Sequence, residues 1–282
     1  MRKGSVYMFG VPDSLWHNEL FIELQKDGKL EAVGEDLPEL LRNLDDSELL
    51  AEEYSYTTEQ DDNNVFFYIN GKRTSIGLDD LFETRGFITL VSETEIGNTS
   101  CPAYLKKDYF YNFLRNSPQA PIWYGYENAF NLIRNFEDGL KTAAKAALQS
   151  GKDAQAIKPI LLSGQTSSGK SMALGNLAFT VYREQKYPVL YIKNPDIHLD
   201  KDGANFSALD MLIQKLENMG ARKILLIWDN SSAFNQRREA GKLYTNLQNR
   251  GRKVALVCSG YDYGSADDNK KFTVINALIQ SN

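Results

Sequence analysis

The clearest pattern lies in the second half of the chain. There, short continuous apolar runs alternate with longer segments of helical period. The runs fall at residues 160–162, 189–192, 224–228 and 254–258, and the helix-periodic segments cover 170–184, 207–219 and 232–249. A strand that is apolar at every position must be covered on both faces, and helices between such strands supply the cover. The pattern predicts an α/β fold, a parallel sheet with flanking helices. Just ahead of it, residues 127–149 read as one amphipathic helix, with Phe130, Ile133, Phe136 and Leu140 at three- and four-residue steps.

Residues 1–108 read as a smaller mixed α/β region without a chemistry of its own. Residues 6–9 form a short apolar run stopped by Gly10 and Pro12, as a buried strand would be. Helical spacing follows over 15–26 and 37–50, then an acidic loop over 52–64. Residues 65–69 predict a strand, Asn70-Gly71 a tight turn, and residues 86–92 a further strand. The expected organisation is this region, a helical lead-in over 109–157, and the alternating core over 158–282.

Composition narrows the function classes. A hydrophobic fraction of 42% allows a sizeable core. No apolar stretch is long enough to span a bilayer, so a membrane partner is not expected. The first ten residues lack the apolar centre of a secretory signal. Two cysteines and two histidines argue against a disulfide framework and a zinc site, and they suit a reducing, cytoplasmic setting. The net charge of −5 hides an asymmetry. Residues 1–110 hold 10 Lys and Arg against 22 Asp and Glu, whereas residues 111–282 hold 22 against 15. The basic half suits an anionic ligand, but no recognised nucleic-acid motif accompanies it.

The candidate chemistry lies in that basic half. Gly164-Gln165-Thr166-Ser167-Ser168-Gly169-Lys170-Ser171 fits the phosphate-loop (Walker A) pattern G-x-x-x-x-G-K-[ST] in full, between a predicted strand and a predicted helix. Glycines let the backbone curl until its N–H groups face phosphate oxygens, and the helix start adds its positive end. Lys170 would supply a cation for the β- and γ-phosphates, and Ser171 a hydroxyl for Mg²⁺. The run ILLIWD ends in Asp229, which fits a Walker B carboxylate completing the metal site with Ser171. Asn230 follows where many phosphate-loop ATPases carry Glu. An amide cannot accept a proton as a carboxylate does, so Asn230 would only orient water and hydrolysis would be slow or conditional. Ser259, at the end of the last run, is a candidate γ-phosphate sensor, weighed against a plain Ser-Gly turn with no role. Arg237, Arg238, Arg250 and Arg252 offer a possible arginine finger, weighed against plain helix-end arginines. No guanine-specificity motif Asn-Lys-x-Asp is present.

From about Tyr109 to Tyr261 the chain resembles the phosphate-loop module of STAND-type NTPases, and more narrowly the novel STAND subgroup of bacterial defence proteins that carry SIR2-like or other effectors. The resemblance rests on YFYNFL, PIWYGYENAFNLIR, GQTSSGKS, ILLIWDN and NRGRKVALVCSG. It implies an ATP-Mg²⁺-binding switch that forms homo-oligomers and works with sensor and effector domains elsewhere in a longer protein or operon. It implies nucleotide contacts from Gly164, Gly169, Lys170 and Ser171, with Asp229 at the metal. Trp123, Tyr124 and Arg134 lie where such proteins help seat the base, although packing in the core suits each of them better. Two departures stand out. FTVINALI is not expected to provide the strand that usually follows the sensor strand, which would make the chain a fragment. Residues 1–100 also lack a SIR2 signature, with His17 a lone histidine. A non-hydrolysing nucleotide-binding scaffold and a nucleic-acid-stimulated motor ATPase are the competing readings.

Overall fold

The computed structural model describes residues 6–9, 30–34, 63–97, 101, 105–117, 120–151, 158–165, 167–192, 197–229, 234–261 and 268–277. The chain divides into two compact units, Met1–Asp62 and Asn63–Asn282. In the first, β1 (Val6–Phe9) pairs in parallel with β2 (Leu30–Gly34). The run at 6–9 thus forms the expected strand, whereas β2, with Glu31 and Gly34 inside it, carries no clear strand pattern. The helices expected over 15–26 and 37–50, and the acidic stretch 52–62, lie outside the described residues, as does His17.

The second unit opens with a hairpin, β3 (Asn64–Ile69) against β4 (Lys72–Gly77). Its two-residue turn is Asn70-Gly71, both at positive φ, as the twist of a tight hairpin requires. The helix α1 (Leu78–Leu81), the strand β5 (Ile88–Leu90) and the helices α2 (Glu93–Ile96) and α3 (Lys106–Asn116) follow.

The single helix expected over 127–149 is two helices, α4 (Trp123–Glu127) and α5 (Glu137–Gln149). Asn128 caps the first, Ala129 takes a positive φ, and Phe130 N–H turns back to the Gly125 carbonyl at 2.7 Å. Asn128, Asn131 and Asn135 are weak helix formers at the break. The predicted apolar face is broken accordingly: Phe130, Phe136 and Leu140 are buried, but Ile133 is 73% exposed.

Among the described residues the core sheet has six strands, in the order β10-β6-β9-β8-β7-β5. These are β6 (Ile160–Ser163), β7 (Val189–Ile192), β8 (Ile224–Trp228), β9 (Val254–Gly260) and β10 (Thr273–Asn276), with β5 at one edge. The five strands from β10 to β7 run parallel, and β5 joins β7 antiparallel. The expected alternation is therefore present, with α6 (Lys170–Arg183), α7 (Ala204–Asn218) and α8 (Phe234–Asn249) between the strands. One expectation is corrected. FTVINALI does provide the strand after the sensor strand: Thr273–Asn276 pairs with β6 in register from Ile160 to Ser163. Its signal was weak because the edge strand is polar at both ends, with Thr273 and Asn276 exposed. The helix α9 (Asp268–Lys271) leads into it.

Both faces of the sheet are covered. Leu190, Ile192, Ile224, Leu226, Trp228, Val254, Leu256 and Cys258 pack on one side with residues of α7 and α8. Val189, Tyr191, Leu225, Ile227, Ala255 and Val257 pack on the other with α4, α5 and α6. Cys258 is buried among these, as a small apolar residue.

The second layer is keyed at Gly175 on α6. A Cβ there would overlap the Tyr126 hydroxyl. The Tyr126 ring cannot yield easily, because it lies edge-on to Phe113 at 5.3 Å and beside Trp123 and Phe179 at 6.3 and 6.1 Å. Helix propensity alone favours Gly175→Ala by about 1 kcal/mol. Overpacking costs about 1–3 kcal/mol. Gly175→Ala is expected to lower stability, read as a drop in the urea midpoint; a raised midpoint contradicts the packing described.

Candidate functional site

The site forms at the C-terminal ends of β6, β8 and β9. After β6 the chain enters the loop 164–169 and then α6, which starts at Lys170. Ser167 and Gly169 both have positive φ, at 63° and 85°. Those two left-handed residues curl the loop, and Gly169 pays no Cβ penalty for it. Gly164 is needed for a different reason, close approach: a Cβ would run into the carbonyl oxygen and the Cβ of Ala277. Ser168 is buried within the loop and Gln165 is exposed. Thr166 lies outside the described residues.

Lys170 is 4% exposed, and its Nζ donates to the carbonyls of Gly164 at 2.8 Å and Gln165 at 2.6 Å. The amine thus sits at the centre of its own loop, 5.4 Å from the Tyr261 ring. Burial pulls its pKa down, while the Asp229 charge works to raise it.

Asp229 follows β8 directly. Its Oδ1 accepts from Ser259 Oγ at 2.7 Å, its Oδ2 from the Tyr191 hydroxyl at 3.4 Å, and the Ser171 hydroxyl also bonds the carboxylate. Burial raises the carboxyl pKa, against these hydroxyls and the Lys170 charge, which favour the ionised form. The structure thus brings Gly164, Gly169, Lys170, Ser171, Asp229 and Ser259 together. Ser259 faces the carboxylate, so its place in the site is beside Asp229. Asn230 lies outside the described residues.

Ser171 and Asp229 make a pair of hard oxygen donors, a set that suits Mg²⁺ completed by water and phosphate oxygens. Among the described residues no cluster of three or more His, Cys, Asp or Glu side chains is placed to hold a metal by itself.

Arg134 is the residue that reasoning from sequence undervalued. Its guanidinium covers Gly169, where a Cβ would collide with it. Nη1 donates to the Leu132 carbonyl at 2.7 Å, and Nη2 contacts Met172 Sδ at 3.7 Å. The buried Glu137 holds it: Oε1 accepts from the Arg134 backbone N–H at 3.1 Å and lies 3.6 Å from Nη1. Glu137 Oε2 accepts from Asn176 on α6 at 2.7 Å. Trp123 is buried in the core and Tyr124 bonds Asn112 and Tyr109, so both aromatics act in packing.

Arg250 and Arg252 serve elsewhere. Both bond Asp210 on α7, Arg250 at 2.7 Å and Arg252 at 2.6 Å. They precede β9, whereas the phosphate loop lies past the strand's far end, a full strand length of about 20 Å away. Neither is placed to reach the site of its own chain. The side chains of Arg237 and Arg238 lie outside the described residues.

No protein-family profile matches the chain, and no curated protein matches it in sequence. Among solved structures, the chain is similar to PCH-2 of C. elegans, with 16% identity and a TM-score of 0.33 over 51% of this chain and 41% of that one. It is also similar to the Aeropyrum pernix ORC1 protein in complex with DNA, with 11% identity and a TM-score of 0.37 over 53% and 47%. A third likeness is to Rhizobiales Trip13, with 12% identity and a TM-score of 0.37 over 56% and 66%. The chain spans less than half the length of the first two. The architecture rests on the sheet order given above, and likenesses this loose carry no argument about activity or partner.

Burial works to raise the Asp210 carboxyl, but hydrogen bonds from Arg252 and Arg250 outweigh it and hold the group below the ordinary carboxylate range. That contribution to stability is present above the ordinary carboxylate pKa and is lost as pH falls through the lowered one. Breaking a fully buried pair costs about 3–5 kcal/mol; with Arg250 remaining, Arg252→Ala is expected to cost about 2 kcal/mol at neutral pH. The deficit should shrink in acid, which urea unfolding at neutral and acidic pH checks.

Proposed function

We propose that the chain is an ATP-binding phosphate-loop NTPase module of a STAND-like signalling or antiviral defence switch. One observation carries the nucleotide part: the loop 164–171, the start of α6, Asp229 and Ser259 converge at one end of the sheet. The loop N–H groups and the helix start would hold the phosphates. Lys170 would exchange its two carbonyl partners for phosphate oxygens, which bear full charge. Arg134, lying on Gly169, is placed to add a second cation at the phosphates' edge. The exposed Leu132 and Ile133 beside it offer apolar surface for the base. Ser171 and Asp229 would hold Mg²⁺, which when bound neutralises charge between the terminal phosphates.

The STAND reading is supported by sequence, by the segments 109–114, 121–134, 224–230 and 249–260. On that reading the module oligomerises and answers to sensor and effector domains. Asn230 after Asp229 favours slow turnover, with the amide orienting water, and it gives weight to a second reading, a nucleotide-binding scaffold without turnover. ATP hydrolysis measured with candidate activators separates the two.

Lys170→Ala tests the central step. Hydrogen bonds to a charged group contribute about 1.5–3 kcal/mol, so ATP affinity is expected to fall about 10- to 100-fold. Calorimetric titration with ATP and Mg²⁺ reads it, and an unchanged affinity would sink the proposal.

A further inference from the structure

Strand β7 reads Val-Leu-Tyr-Ile. Val189 and Tyr191 face α6, in a layer otherwise built by Leu225, Ile227, Ala255 and Val257. For packing in that layer a phenylalanine would serve as well as a tyrosine. The hydroxyl is what needs a reason, because a buried polar group without a partner costs about 1–3 kcal/mol. Its partner is Asp229 Oδ2, at 3.4 Å.

The sheet register explains the contact. Tyr191 lies opposite Ile227, so Asp229 is two residues further along the neighbouring strand, on the same face. Such a diagonal is within reach of a long aromatic side chain. On the other side, Trp228 pairs with Cys258, which puts Ser259 directly across from Asp229. The carboxylate is gripped from both neighbouring strands, one oxygen by each. Tyr126 supplies the contrast: its hydroxyl is buried in the same layer and has no hydrogen-bond partner among the described residues.

Resting on the nucleotide reading above, the geometry points to Tyr191 as a positioning residue that holds the Asp229 carboxylate in the orientation a divalent cation needs. The phenol touches neither nucleotide nor metal. It acts by fixing one carboxylate oxygen, so that the group does not have to be ordered when the metal arrives. Groups that orient a metal ligand are typically worth about 10- to 100-fold in metal affinity. The long hydrogen bond places Tyr191 at the lower end of that range.

The test is Tyr191→Phe, with Tyr126→Phe as the matched loss of a buried hydroxyl. Mn²⁺ serves as probe, its binding to the ATP complex followed by electron paramagnetic resonance, and ATP affinity is measured separately in EDTA. Tyr191→Phe is expected to weaken Mn²⁺ binding about 10-fold while metal-free ATP affinity stays within about twofold. Tyr126→Phe is expected to change neither. Mn²⁺ binding unchanged in Tyr191→Phe, or a parallel fall in metal-free ATP affinity, overturns the inference and leaves the nucleotide reading standing. Failure of the unaltered chain to bind ATP at all overturns both.

Discussion

Residues of a strand alternate between the two faces of a sheet, and every group in the site inherits its place from that alternation. Leu225, Ile227 and Asp229 form one series; Ala255, Val257 and Ser259 form another; Val189 and Tyr191 form a third. All three point toward α6, the helix that the phosphate loop begins. The apolar members fix the register by burial, since a one-residue slip would turn each series to the opposite face. The polar members at the strand ends are thereby delivered together. The chemistry of the site is in this sense a by-product of core packing carried one residue past the core.

A second layer of order comes from the segment ahead of the sheet. Asn176 and Arg134 share the buried Glu137, which ties α5 to α6, and Tyr126 fills the notch at Gly175. The loop thus has a fixed floor in the sheet and a fixed flank in α4 and α5. Arg134 is a consequence of that flank: the break between the two helices presents the guanidinium to Gly169.

Much of this was legible in the sequence, for identifiable reasons. Strands β6 to β9 announced themselves because burial on both faces demands unbroken apolar runs. The loop announced itself because the Walker A pattern fixes four positions within eight consecutive residues. The parts that were harder to see obey weaker constraints. Edge strand β10 is polar at its ends, β2 carries a charge and a glycine, and the break at Asn128 and Ala129 is hidden inside a helical period. Arg134 and Tyr191 lie far from the loop in sequence and meet the site only through tertiary packing. A tyrosine in an otherwise aliphatic strand was the one available sign of the latter.

The account stands or falls on whether nucleotide binds in the loop. Hydrogen–deuterium exchange of the whole chain, with and without ATP and Mg²⁺, asks this directly. The account predicts slowed exchange concentrated in residues 164–173, where backbone N–H groups would meet phosphate, and around Arg134, whose side chain lies on Gly169. Unaltered exchange in the loop at saturating nucleotide, or protection confined to another part of the molecule, would contradict it.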